Sequence, residues 1–288
     1  MDLERLAARQ DGVVTTAQAV SHGVTRWTVH RQAGAGRWKR LRQSTWLLPG
    51  FPMSWRVRCR AAAMAHRAAV LTGMAAVRWW GMAGDDWLEQ VELTVPTGSG
   101  RGGPGVVLRR RSVDPADVVD VAGLRVLLPL AAVLDCVGRR PQPAIVAVME
   151  AGMRDGHFTL EQLARSVSGT RALAAFLLVD VRSQSAPETW LRLLLHGGGL
   201  WWQPQVHVVH DGRDHVVDLG DPDARIGADV DGYEWHGFRS AFKAGLRRGV
   251  RVRLARFDRL VFSPADIRDF PASTLRACRE LAAQARAA

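Results

Sequence analysis

Residues 16–48 read TAQAVSHGVTRWTVHRQAGAGRWKRLRQSTWLL. A threonine hydroxyl can accept an early backbone N–H of a helix, and glycine ends a helix without a Cβ penalty. Thr16 is therefore expected to cap a brief helix, Ala17 to Val20, that stops near Gly23. Thr25 caps the next, Arg26 to Ala33, which runs out in Gly34-Ala35-Gly36. Arg37 to Arg42 and Thr45 to Leu48 then read as two short strands around the polar turn Gln43-Ser44. Ahead of this stretch, Leu3, Leu6 and Ala7 form a short amphipathic face, and Val13-Val14 forms a short strand. Three helices with a glycine between the second and third, then a hairpin, is the order of a winged helix-turn-helix. Residues 1–50 are assigned to it.

Arg26, His30 and Arg31 are the recognition-helix candidates in this unit, and Arg37, Lys39, Arg40 and Arg42 are candidates for phosphate contacts from the wing. Trp27 and Trp38 read as core packing rather than base-stacking groups. Charge agrees with a polyanionic partner. The 288 residues carry 39 basic against 28 acidic side chains, a net +11. The first fifty residues hold 8 basic and 3 acidic groups, the densest basic stretch of the chain. Double-stranded DNA is the expected partner. The competing explanation is an arginine-biased composition, since only Lys39 and Lys243 are lysines.

Other classes are disfavoured. Cys59, Cys136 and Cys278 are far apart and form no CxxC pair, so neither a zinc ribbon nor a disulfide framework is expected. The N-terminus shows no basic and apolar leader. The most apolar window, Ala68 to Gly84, contains Arg78 and several glycines, too interrupted for a membrane span. A cytoplasmic protein without membrane contact is expected.

Residues 51–180 read as a mixed middle region. Arg56 to Ala69, Leu130 to Val137, Ala144 to Met153 and Thr159 to Ser166 are expected helices; Val91 to Val95 and Val106 to Arg111 are expected strands. Residues 181–288 open with a helix, Pro187 to Leu195, stopped by Gly197-Gly198-Gly199. Val206 to His210 and Arg213 to Leu219 flank Asp211-Gly212, a strong hairpin signal. Arg225 to Asp231 is a third strand, Phe238 to Gly249 a helix, Val250 to Phe257 a fourth strand, and Asp266 onward a terminal helix. The fold class is α/β (α+β) and multi-domain, ending in a mixed sheet flanked by helices.

The last region also places its acids suggestively. Asp218 ends the second strand, Asp229 and Asp231 sit two apart on the third, and Glu188 lies on the preceding helix. Carboxylates on rigid elements are what Mg²⁺, or Mn²⁺ in its stead, requires, and such a metal activates water near a phosphodiester. Glu188, Asp218 and Asp229 are the candidate ligands. His236 is a candidate base and Arg248 a candidate phosphate clamp. The alternative is that acids this frequent fall on one strand face by chance. His207, His210 and His215 read as strand residues rather than ligands.

Two resemblances follow from these residues. Ser185-Ala186-Pro187-Glu188-Thr189-Trp190-Leu191-Arg192, then Gly199-Leu200, Pro204-Gln205, Asp218-Leu219 and Asp229 through His236, resemble a domain common in actinobacterial proteins. That domain is similar to very-short-patch-repair endonucleases of the PD-(D/E)XK class, over roughly residues 182–270. Gly12, Thr16, Gly23-Val24, Gly36-Arg37-Trp38 and Leu48-Pro49-Gly50 resemble the helix-turn-helix of AbiEi-type antitoxins. Thr72-Gly73 to Trp79-Trp80-Gly81 resembles the middle part of such chains. The first resemblance implies Glu188, Asp218 and Asp229 as metal ligands, Asp231 where the wider class has lysine, and His236 and Arg248 beside them. Two departures stand out. Asp229 replaces the usual glutamate, and Gly245 stands where an aspartate is expected. Two functions are thus expected of the chain. One is Mg²⁺-dependent DNA cleavage. The other is non-catalytic, antitoxin-type regulation with a degenerate nuclease fold, its toxin partner left open.

Overall fold

The computed structural model describes residues 2–66, 68–84, 90–96, 102–231 and 256–287. The chain forms two compact units, residues 1–137 and 138–288. Both mix helices with sheet, and three sheets occur among the described residues.

The first unit begins with α1 (Leu3–Arg9), β1 (Val13–Thr15), α2 (Thr16–Ser21), α3 (Arg26–Gly34), β2 (Lys39–Arg42) and β3 (Thr45–Leu47). The strands pair in the order β1-β3-β2, so the wing hairpin closes on β1. Thr25 caps α3 as expected, its hydroxyl accepting the Thr28 N–H at 3.1 Å. The cap of α2 is corrected: it is Thr15, not Thr16. The Thr15 hydroxyl accepts the Gln18 N–H at 3.1 Å, and Gln18 Oε1 accepts the Thr15 N–H at 2.9 Å. Thr16 is buried, and its hydroxyl instead accepts the Trp46 indole N–H at 2.8 Å. Leu3, Ala7, Val14, Ala19, Val29, Trp38, Trp46 and Leu48 form the core of this part.

The same unit continues with α4 (Trp55–Met64), β4 (Val70–Leu71), α5 (Gly73–Trp79), β5 (Val91–Val95), β6 (Val106–Arg110), β7 (Val118–Val121), β8 (Leu124–Leu127) and α6 (Pro129–Cys136). Its sheet runs β6-β5-β4-β8-β7. The helix expected to reach Ala69 stops at Met64, because Val70 and Leu71 form the central strand, buried between β5 and β8. The turn into α5 demands glycine. Gly73 has φ +58°, and a Cβ there would lie 2.5 Å from Glu92 Oε2. The two parts of this unit are joined through Arg60, a residue only 1% exposed. Its guanidinium donates to Asp11 Oδ2 at 2.5 Å, and to the carbonyls of Val121 (3.2 Å), Ala122 (3.0 Å) and Arg9 (3.3 Å).

The second unit contains α7 (Gln142–Arg154), α8 (Leu160–Ser166), α9 (Thr170–Phe176), α10 (Ala186–Gly197), β9 (Gln203–His210), β10 (Arg213–Asp221), β11 (Ile226–Val230), β12 (Asp258–Phe262), α11 (Pro264–Asp269) and α12 (Pro271–Ala287). The sheet order is β12-β11-β10-β9. It is antiparallel except for the parallel pair β11/β12. Asp211 and Gly212 turn the β9–β10 hairpin with φ +47° and +67°, the doubly left-handed turn that Asp-Gly favours. Leu191 and Leu195 of α10 pack on Leu219, Ile226 and Ala228 of the sheet and on Ile267, Cys278 and Ala282 of the last two helices. Helices α7 and α10 are tied by a buried ion pair, Glu150–Arg192 at 2.6 Å.

The position of the fourth strand is corrected. A strand stands at Asp258–Phe262, beyond the expected end at Phe257, and pairs in register with Ile226–Val230; of the expected strand Val250 to Phe257, residues 250–255 lie outside the described residues. Phe257 precedes it as a buried plug against Val206, Val208 and Val217. The expected helix Phe238 to Gly249, and residues 250–255, lie outside the described residues.

Candidate nucleic-acid interface and acidic cluster

Helix α3 buries Val29 and exposes Arg26, Trp27, His30 and Arg31. Val29, with Ala33 packed beside it, thus anchors a short helix whose exposed residues include two arginines, a histidine and an indole. Trp38 is buried, as read from the sequence, but Trp27 is corrected: it is 66% exposed. The Arg31 guanidinium stacks over its ring, 4.5 Å from the centroid, as expected for residues four apart on a helix. Arg37, Lys39 and Arg40 are exposed around the wing, where Trp38, Trp46 and Leu47 face inward. Arg42 differs from them. It is half-buried and donates to the Pro104 carbonyl at 3.0 Å, tying the wing to the rest of its unit. Burial, and then the charge of Arg58, lower its pKa.

In the second unit, Glu188, Asp218 and Asp229 fall into one neighbourhood. Glu188 sits in the first turn of α10, placed there by the Ser185 cap, and is 7% exposed. Its Oε2 accepts the Gln184 N–H at 2.9 Å and the Gln205 side-chain N–H at 3.0 Å; its Oε1 accepts the Ser185 hydroxyl at 2.8 Å. Burial raises its pKa above the ordinary carboxylate value; the donated hydrogen bonds oppose this and the Asp218 charge adds to it. Asp218 and Asp229 are neighbours across β10 and β11. The Asp218 N–H donates to Asp229 Oδ1 at 3.2 Å, and the Val230 N–H donates to Asp218 Oδ2 at 2.7 Å. Asp229 forms an ion pair with Arg259 of β12, and both side chains are mostly buried.

Asp231 follows β11 and is exposed, its N–H donating to the Phe262 carbonyl at 2.9 Å. His236 and Arg248 lie outside the described residues. Sequence reasoning missed two members of the cluster. Arg259 was hidden because the fourth strand was expected earlier in the chain. Gln205, with φ +56° inside β9, had only its place beside Pro204 to mark it. Among the described residues, no three His, Cys, Asp or Glu side chains gather as a metal-binding group. The oxygens of Glu188 face neutral donors, and a guanidinium lies on Asp229. As arranged, these residues do not fit Mg²⁺ or Mn²⁺.

Residues 1–49 match the family model for transcriptional regulator, AbiEi antitoxin. The match spans the helix-turn-helix and wing and ends where α4 has yet to begin. A solved structure, that of the RV2827C protein from Mycobacterium tuberculosis, is 18% identical. The similarity covers 68% of this chain and 78% of the other, with a TM-score of 0.36. No curated protein matches the chain. Among the described residues, no helix is long and apolar enough to cross a membrane.

Proposed function

We propose that the chain is an antitoxin-type transcriptional regulator that binds double-stranded DNA through residues 1–50. The observation that carries this reading is the surface of α3 and the wing. Arg26, His30, Arg31, Arg37, Lys39 and Arg40 are exposed on a body whose inward residues are apolar. A recognition helix contacts base edges in the major groove through residues near its N-terminus, which here are Arg26, Trp27, His30 and Arg31. The wing cations Arg37, Lys39 and Arg40 meet phosphates, which fix register and supply most of the affinity. Arg42 belongs to the scaffold in this account, because it is spent on Pro104. The test is fluorescence anisotropy of the full chain on duplexes from the region upstream of its own coding sequence. Arg31→Ala is expected to weaken the best duplex by about 1–3 kcal/mol, roughly 5- to 150-fold, if it pairs with a base. Equal binding by wild type and the Arg31→Ala, Arg37→Ala and Arg40→Ala variants contradicts the reading.

The competing reading is Mg²⁺-dependent DNA cleavage in the second unit. One observation favours it: Asp218 and Asp229 are neighbours across two paired strands, and the Asp218 charge acts on Glu188 of α10. A supercoiled-plasmid assay with Mg²⁺ and then Mn²⁺, beside Asp218→Ala, separates the two. Nicking by wild type alone establishes cleavage. No cleavage by either protein, with DNA binding by both, leaves regulation.

A further inference from the structure

Arg259 is the feature of the second unit that neither reading absorbs. It stands on β12, the strand parallel to β11, and its guanidinium reaches sideways onto Asp229. Its side chain is 14% exposed and that of Asp229 is 12% exposed, so the pair is largely withdrawn from water. Asp218 lies close enough to be felt at both Glu188 and Arg259. Among the described residues, Arg259 is a cation shared by Asp229 and Asp218, and Asp218 in turn acts on Glu188.

We propose that Arg259 is a built-in counter-ion in the position a divalent cation would take, making the acidic cluster metal-independent. Three features support this. Guanidinium is charged at every accessible pH and presents several fixed donors, so it can satisfy carboxylates permanently. The ion pair satisfies Asp229 from one side while the Asp218 N–H satisfies it from the other. Glu188 is held by Gln184, Ser185 and Gln205, an arrangement that packs α10 against β9. A dication entering here meets the positive guanidinium a few ångströms away. Repulsion of that kind disfavours the dication at this position. The inference stands apart from DNA binding by residues 1–50 and survives or fails without it.

The experiment is a Mn²⁺ titration of the full chain followed by electron paramagnetic resonance, with thermal unfolding measured in parallel in millimolar Mg²⁺. Wild type is expected to show no saturable Mn²⁺ binding and no metal-dependent shift in Tm. Arg259→Gln removes the charge and keeps donors. It is expected to bind Mn²⁺ at least about tenfold more tightly than wild type, and Asp218→Asn in that background is expected to abolish the gain. Two results overturn the proposal. One is saturable Mn²⁺ binding by wild type that Asp218→Asn removes. The other is a folded Arg259→Gln, shown by circular dichroism, with no gain in Mn²⁺ affinity. If Arg259→Gln does not fold, the wild-type titration beside Asp218→Asn decides alone.

Discussion

Replacing Arg60 by methionine tests whether the winged body and the five-stranded sheet behave as one cooperative unit. Methionine keeps most of the aliphatic volume and removes the charge and donors. Arg60 is 1% exposed and donates to Asp11 and to the carbonyls of Val121, Ala122 and Arg9. Removing one partner from a buried ion pair costs about 3–5 kcal/mol. Two features reduce that figure here. Asp11 retains 24% of its side-chain exposure, and Arg56 also pairs with it at 3.1 Å. Three carbonyls lose a charged donor, which adds about 1 kcal/mol or more. The expected loss is about 3 kcal/mol. For a unit of this size that corresponds to a fall in Tm of roughly 10 °C. The assay is urea unfolding of the full chain followed by tryptophan fluorescence, which Trp38 and Trp46 report from one side and Trp79 from the other. Arg56→Ala is the control: its side chain is 47% exposed, and the cost should stay below about 1 kcal/mol. A loss below about 1 kcal/mol for Arg60→Met refutes the argument, as does separate melting of the winged part in the wild type.

Further outcomes are expected. Thr16→Val should cost about 1–3 kcal/mol by equilibrium unfolding, because the buried Trp46 indole N–H loses its acceptor; an unchanged midpoint contradicts that bond. Glu188→Gln should gain stability relative to wild type as pH rises. The raised pKa of Glu188 means that wild type is favoured at acid pH, below about 4.3, and loses that advantage as the buried carboxyl is forced to ionise. Unfolding curves at pH 4 and pH 7 check the sign, and a wild type that gains stability relative to Glu188→Gln between pH 4 and pH 7 overturns it. Burial pushes the Cys59 and Cys278 thiols up to about 12. A thiol-reactive dye at pH 8 should therefore label neither until the protein unfolds, and fast labelling of the native chain refutes the packing described.

The winged part was legible because its signals are local. Thr25, the glycines after α3 and the polar turn at Gln43-Ser44 each act on neighbouring residues. Even there, choosing between Thr15 and Thr16 as cap required knowing that Trp46 folds back onto Thr16. The middle sheet was less legible. Gly73–Trp79 buries Met74, Ala75, Ala76, Val77 and Trp79, so α5 shows no polar face and no helical period. Its two-residue strand Val70–Leu71 is too short to alternate. In the second unit the hairpin at Asp211-Gly212 and the capped helix α10 followed from sequence. Strand β12 did not, because Asp258 and Arg259 open it with two charges, and its place is set by pairing with β11. That hid Arg259. The acids Glu188, Asp218 and Asp229 were visible by type and spacing, but spacing does not reveal which donors surround a carboxylate.

The measurement closest to the central claim is the salt dependence of DNA affinity for the full chain. It should be compared with a variant in which Arg37, Lys39 and Arg40 are all alanine. Each lost phosphate contact should flatten the slope of log K against log salt by about 0.9. Wild type is expected to show a steep slope, shallower by about 2–3 in the variant, with Asp218→Ala indistinguishable from wild type. Equal slopes for wild type and the triple variant, or affinity lost only on changing the acidic cluster, would contradict DNA binding by the winged domain.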